Sequence, residues 1–398
     1  MISLPTLPKL VRPFSAQYVS REFIHLTSFH GFFQFYTSVV AFFGIPFFYQ
    51  AFGSVFLAFL PFALGRFGLG LLSWPVGRLV GQIGTRMGVL LSVLITVLGS
   101  VPILLFERTD NIIWALLWLA SLFGTRLFLF VPFDYYQAQL THVGRRGSEM
   151  ALKRYLLLFV MLMAPFVGGL TVDTFGFFGL VLVATTGMVV SLLSVVRLPN
   201  YKFDVKLSRA DLTAHRSAII AASSFLQQAH SMFTVPLWVL FVFLFLGQSA
   251  LRLGVFFFVS IAVSLLVNYL IGLYLDSHQR GKMLIRTFLG EAVVNVLRGL
   301  QVLPIFVTEL LGRTVGNFRN QAYEVFYSDE ITVGIRSSKR GNETIVLEII
   351  SQSLAGLVIL LGAGTAEAIG IRPTFVVIGV MVMVLLAIEH NLIEEDLG

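Results

Sequence analysis

The sequence contains no cysteine and few charged residues, and each shortage excludes a class of protein. Without cysteine, the chain can form neither disulfides nor thiolate metal sites. Charged residues make up 12% of the chain, whereas soluble domains carry about 25%. Hydrophobic residues make up 57%, and the mean hydropathy is +0.86. These values predict an integral membrane protein, with room for about twelve spans if each takes about 20 apolar residues.

The sequence also lacks the residue patterns of a membrane enzyme. Its apolar segments hold no cluster of carboxylates for a catalytic metal, and its histidines are far apart. We therefore expect neither an enzyme nor a bound cofactor or metal. The pI is about 9.7, but the positive-inside rule explains an excess of Lys and Arg in a membrane protein better than nucleic acid does. The first 23 residues have no apolar core, so no cleavable signal peptide is predicted.

The second half of the chain repeats features of the first about 194 residues later. The tetrapeptide RGSE at 146–149 corresponds to RGNE at 340–343. Further matching pairs are Gln34 and Gln228, Gly77 and Gly272, Gly168 and Gly362, and Gly176 and Gly370. Two repeats with the same orientation in the membrane are typical of one large class of secondary transporter.

Apolar segments predict six spans in each half of the chain. The predicted spans are 24–49, 52–79, 86–106, 111–137, 150–171, 177–196, 217–246, 251–275, 283–302, 304–327, 344–364 and 374–393. The charged region from 283 to 327 is included because the repeat requires six spans in the second half. The expected fold is therefore an all-α integral membrane protein with an N-terminal six-helix bundle at 1–196, a linker at 197–216 and a C-terminal six-helix bundle at 217–398.

The distribution of Lys and Arg predicts the orientation in the membrane. With the N-terminus inside, the predicted cytoplasmic segments and the adjoining ends of the spans hold twenty of the 28 Lys and Arg residues, and the opposite face holds three. Because positive residues accumulate on the cytoplasmic side, both termini and the linker are expected in the cytoplasm. A bacterial inner membrane is the expected location.

Short motifs follow predicted spans 2 and 8. The first reads GRLVGQIGTR at 77–86, and the second reads GLYLD at 272–276 followed by RGK at 280–282. Both resemble the helix 2–3 signature of the major facilitator superfamily, although Gly81 stands where that signature has an acid. The resemblance implies a monomer with two six-helix bundles that gives a central site alternating access to either face. The residues expected to form its cytoplasmic gate are Gly77, Gly84, Arg86, Gly272, Asp276 and Arg280.

Two arginines at matching depth are the main candidates for a binding site. Arg126 lies near the middle of predicted span 4, and Arg319 lies at nearly the same depth in predicted span 10. A charge at mid-membrane costs about 2.5–3.5 kcal/mol on insertion scales, so each arginine needs a partner or a function. In the superfamily, helices 1, 4, 7 and 10 line the cavity, and Arg126 resembles the helix 4 arginine of its proton-coupled antiporters. Facing guanidinium groups would bind a carboxylate or phosphate.

Pairing within each bundle is the alternative interpretation of these charges. The acids available within the predicted spans are Asp134, Glu291, Glu309 and Glu324, and the other arginines there are Arg66, Arg298 and Arg313. Glu291, Asn295 and Arg298 are spaced to share one face of predicted span 9, which indicates an internal polar stripe. Glu309 and Glu324 are candidate proton carriers, while Arg313 and Asp134 are candidate ion-pair partners.

Predicted spans 1 and 7 carry a second set of related polar residues. Gln34 and Tyr36 align with Gln228 and His230 at matching depths. Such neutral groups either bind a polar ligand or hold helices together in lipid. The candidate substrate-binding residues are therefore Arg126, Arg319, Gln34, Gln228, Tyr36, His230 and Arg66.

These features predict a secondary transporter of a small polar organic solute, for which an organic anion and a coupling proton are the candidate partners. A flippase or transporter of a charged lipid or lysolipid is one alternative, because the same fold can admit headgroups from the side. A receptor or scaffold of the same fold that has lost transport is another, because both gating motifs are degenerate.

The predicted orientation can be tested by labelling, since the chain has no cysteine of its own. Cysteines introduced at Ser208 and at Thr109 are expected to react with an impermeant thiol reagent from opposite sides of the membrane. Reaction of both from outside the cell would contradict the twelve-span topology.

Overall fold

The computed structural model describes residues 20–109, 111–140, 146–203, 233–275, 280–319 and 340–383. These residues are almost entirely helical, and they contain no β-strand. We number the helices α1 (Arg21–Phe52), α2 (Val55–Ile83), α3 (Thr85–Thr109), α4 (Ile112–Leu140), α5 and α6 (together Arg146–Val195), α7 (Val235–Phe245), α8 (Ala250–Leu275), α9 (Arg280–Leu300), α10 (305–319), α11 (Arg340–Ile369) and α12 (Ile371–Met383).

Short polar or glycine turns separate consecutive helices. Ser20 and Ser54 cap the first turns of α1 and α2, because each hydroxyl accepts a hydrogen bond from the backbone N–H three residues later, at 3.1 Å. Gly53 ends α1 in the left-handed conformation. Gly176, with φ 73° and ψ −179°, interrupts Arg146–Val195, and we therefore treat α5 and α6 as separate helices.

Six helical segments are long and apolar enough to cross a membrane in the part of the chain that the structure describes. They lie in α1 to α4, in the α5–α6 segment and in α11, and three shorter apolar segments lie in α7, α8 and α12. Large apolar side chains such as Leu71 and Phe175 are 74% and 72% exposed, which suits a surface that faces lipid. The sequence prediction of twelve spans agrees with the positions of these helices but stays a prediction.

Aromatic side chains fill the interior of the first half. Phe48 lies against Phe106 and Trp118 at centroid distances of 6.0 and 5.8 Å, and Phe47 stacks on Phe177 at 4.1 Å. These rings join α1, α3, α4 and α6. Close packing of this kind is important within a membrane, because apolar side chains gain little from leaving lipid and helices must be held together by contact.

The two halves of the chain meet along two antiparallel helix pairs, α2 with α11 and α5 with α8. A Cβ on Gly254 of α8 would lie 2.3 Å from the Pro165 carbonyl oxygen of α5, and a Cβ on Gly169 would lie 2.6 Å from the Ala250 oxygen. Only glycine permits so close an approach of the backbones. Both pairs touch at the end of the molecule where α2 and α8 begin, which we refer to as the far end. Arg21, Arg78 and Arg197 lie at the opposite end, which we refer to as the basic end.

A short segment at the basic end, residues 197–203, lies across the turn between α2 and α3; we refer to it as the strap. Its backbone pairs with that turn, since the Phe203 N–H donates to the Gly81 oxygen at 3.2 Å and the Thr85 N–H to the Tyr201 oxygen at 2.8 Å. Asn200 accepts from the Arg86 N–H at 3.0 Å. A Cβ on Gly81 would lie 2.4 Å from the Phe203 oxygen, so the strap occupies the space that a side chain there would need.

Candidate functional site

Four helices of the second half converge on one buried carboxylate, Glu309 of α10. Glu309 is 2% exposed. The Trp238 indole N–H of α7 donates to its Oε2 at 2.7 Å, and the Ser260 hydroxyl of α8 donates to its Oε1 at 3.3 Å. Two cations complete the set: Arg313, one turn further along α10, forms a salt bridge to Oε1, and Arg298 of α9 lies 3.8 Å from Oε2.

The arginines of this group are themselves held in place. The Arg313 Nε–H donates to the Ser260 hydroxyl at 2.8 Å, and the Arg298 guanidinium lies over the Trp238 ring at 4.7 Å. Guanidinium over an indole face is a favourable cation–π contact. A Cβ on Gly312 would lie 2.4 Å from an Arg298 nitrogen, so this glycine makes room for the guanidinium.

A second ion pair lies deeper along the same two helices. Arg319 of α10 donates to Glu291 of α9 at 2.6 Å, and the two residues are 2% and 4% exposed. Asn295 of α9 is fully buried and accepts from Arg298 at 3.3 Å. The predicted polar stripe on one face of α9 is therefore confirmed. Together with the Glu309 group these residues form a continuous buried cluster of three arginines and two glutamates, which we call the buried charge cluster.

The buried charge cluster is closed to solvent except at one residue. The Arg313 side chain is 20% exposed, whereas the side chains of the other charged members are 6% exposed or less. An ion pair in so dry a setting is stabilised only by close partners and extra hydrogen bonds. Chemically, the cluster can change its charge by moving one proton at a carboxylate, but within the described residues its low exposure leaves a large solute no open entrance.

A different set of polar contacts joins the two halves at α2 and α11. The Arg66 guanidinium of α2 donates to the Gln352 side chain of α11, and both residues are buried. Val55 and Phe56 begin α2, about eleven residues before Arg66. Their N–H groups donate to the exposed Glu367 carboxylate of α11 at 2.8 and 3.2 Å. A carboxylate at a helix N-terminus is favoured by the free N–H groups and by the helix dipole. Glu367 thus links α11 to the start of α2 at the far end.

The structure places the predicted substrate-binding residues in different settings. Arg126 is half-buried midway along α4, while Arg66 and Arg319 contact Gln352 and Glu291. Tyr36 is 2% exposed in the core of the first half, and Gln34 donates to Ser38 of its own helix at 3.2 Å. Gln228 and His230 lie outside the described residues, as do Glu324 and the side chain of Asp134. For Arg319, the geometry follows the alternative of pairing within its own half.

The predicted gate residues are described in part. Gly77 is buried in α2, Gly84 ends that helix with φ 100°, and the Arg86 backbone is bonded to the strap. Gly272 lies in α8 and Arg280 begins α9, whereas Asp276 lies outside the described residues. The missing acid at Gly81 now has a physical explanation, because the strap lies directly over that position.

Sequence reasoning missed Trp238, Ser260, Gln352, Glu367 and the strap. Trp238 and Ser260 are ordinary residues in apolar segments, and nothing in their spacing indicates that they share a carboxylate on another helix. Glu367 could have been selected from the sequence, because it is an acid near the end of an apolar span. It would lie opposite the start of α2 if the two halves pack as the repeat implies. Gln352 is a neutral polar residue in the same span and was less conspicuous.

The fold is shared with solved membrane transporters at low sequence identity. No family model matches this sequence, and a search of curated proteins finds no match. The nucleoside transporter NupG superposes with a TM-score of 0.61 at 12% identity, over 92% of this chain and 98% of NupG. A POT family transporter solved with 5-aminolevulinic acid gives a TM-score of 0.71 at 11% identity, over 93% and 96%. A D-xylose-proton symporter gives 0.59 at 12%, over 90% and 96%.

These matches define the class by its architecture: the chain is a multi-pass membrane protein with the fold of a transporter. The architecture is the major facilitator fold, and the resemblance seen in the sequence motifs is confirmed at the level of the fold. Identities of 11% to 12% carry no information on what this chain binds.

The importance of Glu309 as a counter-ion can be tested with Glu309→Gln. Glutamine keeps the shape but removes the negative charge from two buried arginines, so we expect a loss of about 3–5 kcal/mol in folding stability. The measurement is the midpoint of heat-induced loss of monodisperse protein in detergent. Glu107→Gln is the matched control: Glu107 is an exposed residue that accepts from the Phe178 N–H at 2.9 Å, and its loss should cost about 1 kcal/mol or less. Equal midpoints for both variants would contradict the role of Glu309.

Proposed function

We propose that this protein is a secondary transporter that moves a small polar organic solute across a membrane by alternating access. The observation that carries the proposal is the way the two halves of a major facilitator fold meet. They touch along α2–α11 and α5–α8 at the far end, through close glycine contacts and a few polar contacts. Aromatic contacts across the halves, Phe59 with Phe233 and Phe42 with Phe257, lie beside them. Rocking of one half against the other about such helix pairs is the movement that alternating access requires.

In this proposal, the structure is a state closed at the far end. With the termini in the cytoplasm, as the Lys and Arg distribution predicts, the far end faces outwards. Glu367 on the α2 N-terminus and Arg66 with Gln352 further along α2 are then the polar parts of an outer gate. Opening that gate breaks hydrogen bonds at Val55 and Phe56 that water can replace.

Arg126 is the residue proposed to contact the solute. It lies midway along α4, it is half-buried, and α4 occupies a helix position that lines the cavity in transporters of this fold. Arg126 is more exposed than Arg319, whose side chain is only 3% exposed in its ion pair with Glu291, and it is therefore the stronger candidate of the two predicted arginines. A guanidinium group at this depth favours a solute that carries a carboxylate or phosphate.

Glu309 is the residue proposed to carry a coupling proton. It is a carboxylate in a dry site with arginines on two sides, so taking up a proton there must disturb its contacts with Arg298, Arg313 and Trp238. These contacts hold α7, α8, α9 and α10 together. Protonation of Glu309 would therefore loosen the packing of the second half, which is a way to couple a proton to a conformational change.

The proposed substrate class can be tested by ligand screening of the purified protein. Organic anions, organic cations, sugars, nucleosides and lysolipids are added, and thermal stability is measured. A ligand at a hundred times its Kd raises stability by about 2.7 kcal/mol. We expect an organic anion to stabilise the protein and Arg126→Lys to weaken the affinity for that anion about tenfold, because lysine cannot form the bidentate contact.

Arg108→Lys is the matched control, because Arg108 is an exposed arginine at the far end of α3. It should leave the anion effect unchanged. Stabilisation by neutral or cationic solutes alone, equal in both variants, would contradict the role of Arg126. Stabilisation by lysolipids alone would favour the flippase alternative.

The outer gate can be tested with Glu367→Gln in a protein labelled at Thr109→Cys and Arg252→Cys, two exposed positions at the far end of opposite halves. Losing a carboxylate cap costs about 0.5–2 kcal/mol, so the population open at the far end should rise about twofold to thirtyfold. Double electron–electron resonance measures the distances between spin labels at these two positions, and the distance distribution reports this population.

Glu107→Gln serves as the control for the gate, since the hydrogen bond that Glu107 accepts from Phe178 lies within the first half. It should leave the distances unchanged. If Glu367→Gln also leaves them unchanged, Glu367 is not part of the gate.

A further inference from the structure

A basic pocket lies at the basic end of the first half, away from both the buried charge cluster and the outer gate. Its volume is about 460 Å³, and it is lined by Arg21, Ile24 and His25 of α1 and by Arg197, the first residue of the strap. It is a depression open towards the surface, of a size that admits a phosphate-bearing headgroup. Three of its four lining residues carry cationic or hydrogen-bonding nitrogen groups, which suit an anion.

The spacing of the α1 residues explains why the pocket is basic. Arg21, Ile24 and His25 stand at positions i, i+3 and i+4, so they share one face of the first helical turns. Glu22 lies in the same turn but about 100° around the helix. α1 begins at Arg21, where the helix dipole also favours negative charge. Arg197 approaches from the end of α6.

Apolar side chains exposed to lipid lead up to this pocket. Leu193 lies one helical turn before Arg197 and is 68% exposed, and Val189, one turn further, is 44% exposed. In the pocket itself Ile24 is 43% exposed. The surface therefore changes from an apolar stripe to a pair of arginines over about two turns of α6, which matches the change from acyl chain to phosphate in a phospholipid.

We propose that this pocket binds the phosphate-bearing headgroup of an anionic phospholipid. Arg21 and Arg197 contact the phosphate, His25 donates a further hydrogen bond, and the acyl chains lie along Val189 and Leu193. Free inorganic phosphate would make the same contacts with the two arginines, but it would not use the apolar stripe of Val189 and Leu193.

On the predicted orientation the pocket faces the cytoplasmic leaflet, where anionic lipids attract Lys and Arg. Because Arg197 also begins the strap, a bound lipid would fix the strap over the α2–α3 turn. None of this depends on the proposed transport activity.

The experiment is native mass spectrometry of the full chain in detergent, titrated with dioleoylphosphatidylglycerol, with dioleoylphosphatidylcholine and with inorganic phosphate. We expect the anionic lipid to bind more tightly than the zwitterionic one. Arg21→Gln combined with Arg197→Gln should weaken binding of the anionic lipid about tenfold or more, because each arginine near the surface contributes to the attraction. The control is Arg78→Gln combined with Lys202→Gln, which removes the same charge from exposed positions at the same end that do not line the pocket.

Equal weakening in the two double variants would mean diffuse attraction to the basic end and would overturn the proposal, as would equal binding of the two lipids. Displacement of the anionic lipid by inorganic phosphate at millimolar concentration would assign the pocket to free phosphate and overturn the assignment to lipid. If the arginine double variant does not purify as a monodisperse protein, His25→Gln replaces it. A selective loss for the anionic lipid in that single variant supports the pocket, and an unchanged affinity overturns it.

Discussion

The structure depends on one constraint, which is the cost of a charge within a lipid-embedded helix bundle. An uncompensated charge at that depth costs several kcal/mol, and the second half places five charged residues there within the described helices. The cost is offset because Glu309 gathers Arg298, Arg313, Trp238 and Ser260 around one carboxylate. The same contacts tie α7, α8, α9 and α10 together. The solution to the charge problem is therefore also what fixes the packing of that half.

The first half is held by other means. Its interior is aromatic, and its buried polar groups are mostly hydroxyls that bond to their own helix or to a neighbour, as Thr96 does to Thr125 at 2.8 Å. Under the transport proposal, the second half carries the carboxylate that takes up a proton, and the first half carries Arg126, the proposed contact for the solute. The contacts between the halves combine close glycine approaches, a few hydrogen bonds and two aromatic pairs, Phe59 with Phe233 and Phe42 with Phe257.

Much of the fold was predictable from the sequence because membrane insertion leaves strong periodic signals. Long apolar segments, the repeat near 194 residues and the turn glycines located the helices that the structure shows, and the position of Gly176 matched the break between α5 and α6. The stripe of Glu291, Asn295 and Arg298 was visible because helical spacing alone decides which residues share a face.

The partners of these residues were not predictable, since a partner on another helix depends on how the helices rotate and cross. Arg319 matched Arg126 in depth, which suggested a shared ligand, but the rotation of α10 directs Arg319 to Glu291 instead. Gly81 read as a defect in a gating motif until the strap was seen to lie over it. The sequence by itself thus determined that the protein lies in a membrane, where its helices are, and which residues share a helix face. Only the tertiary structure decided which charges neutralise each other, because pairing energies depend on distances of a few ångströms that no spacing along one chain encodes.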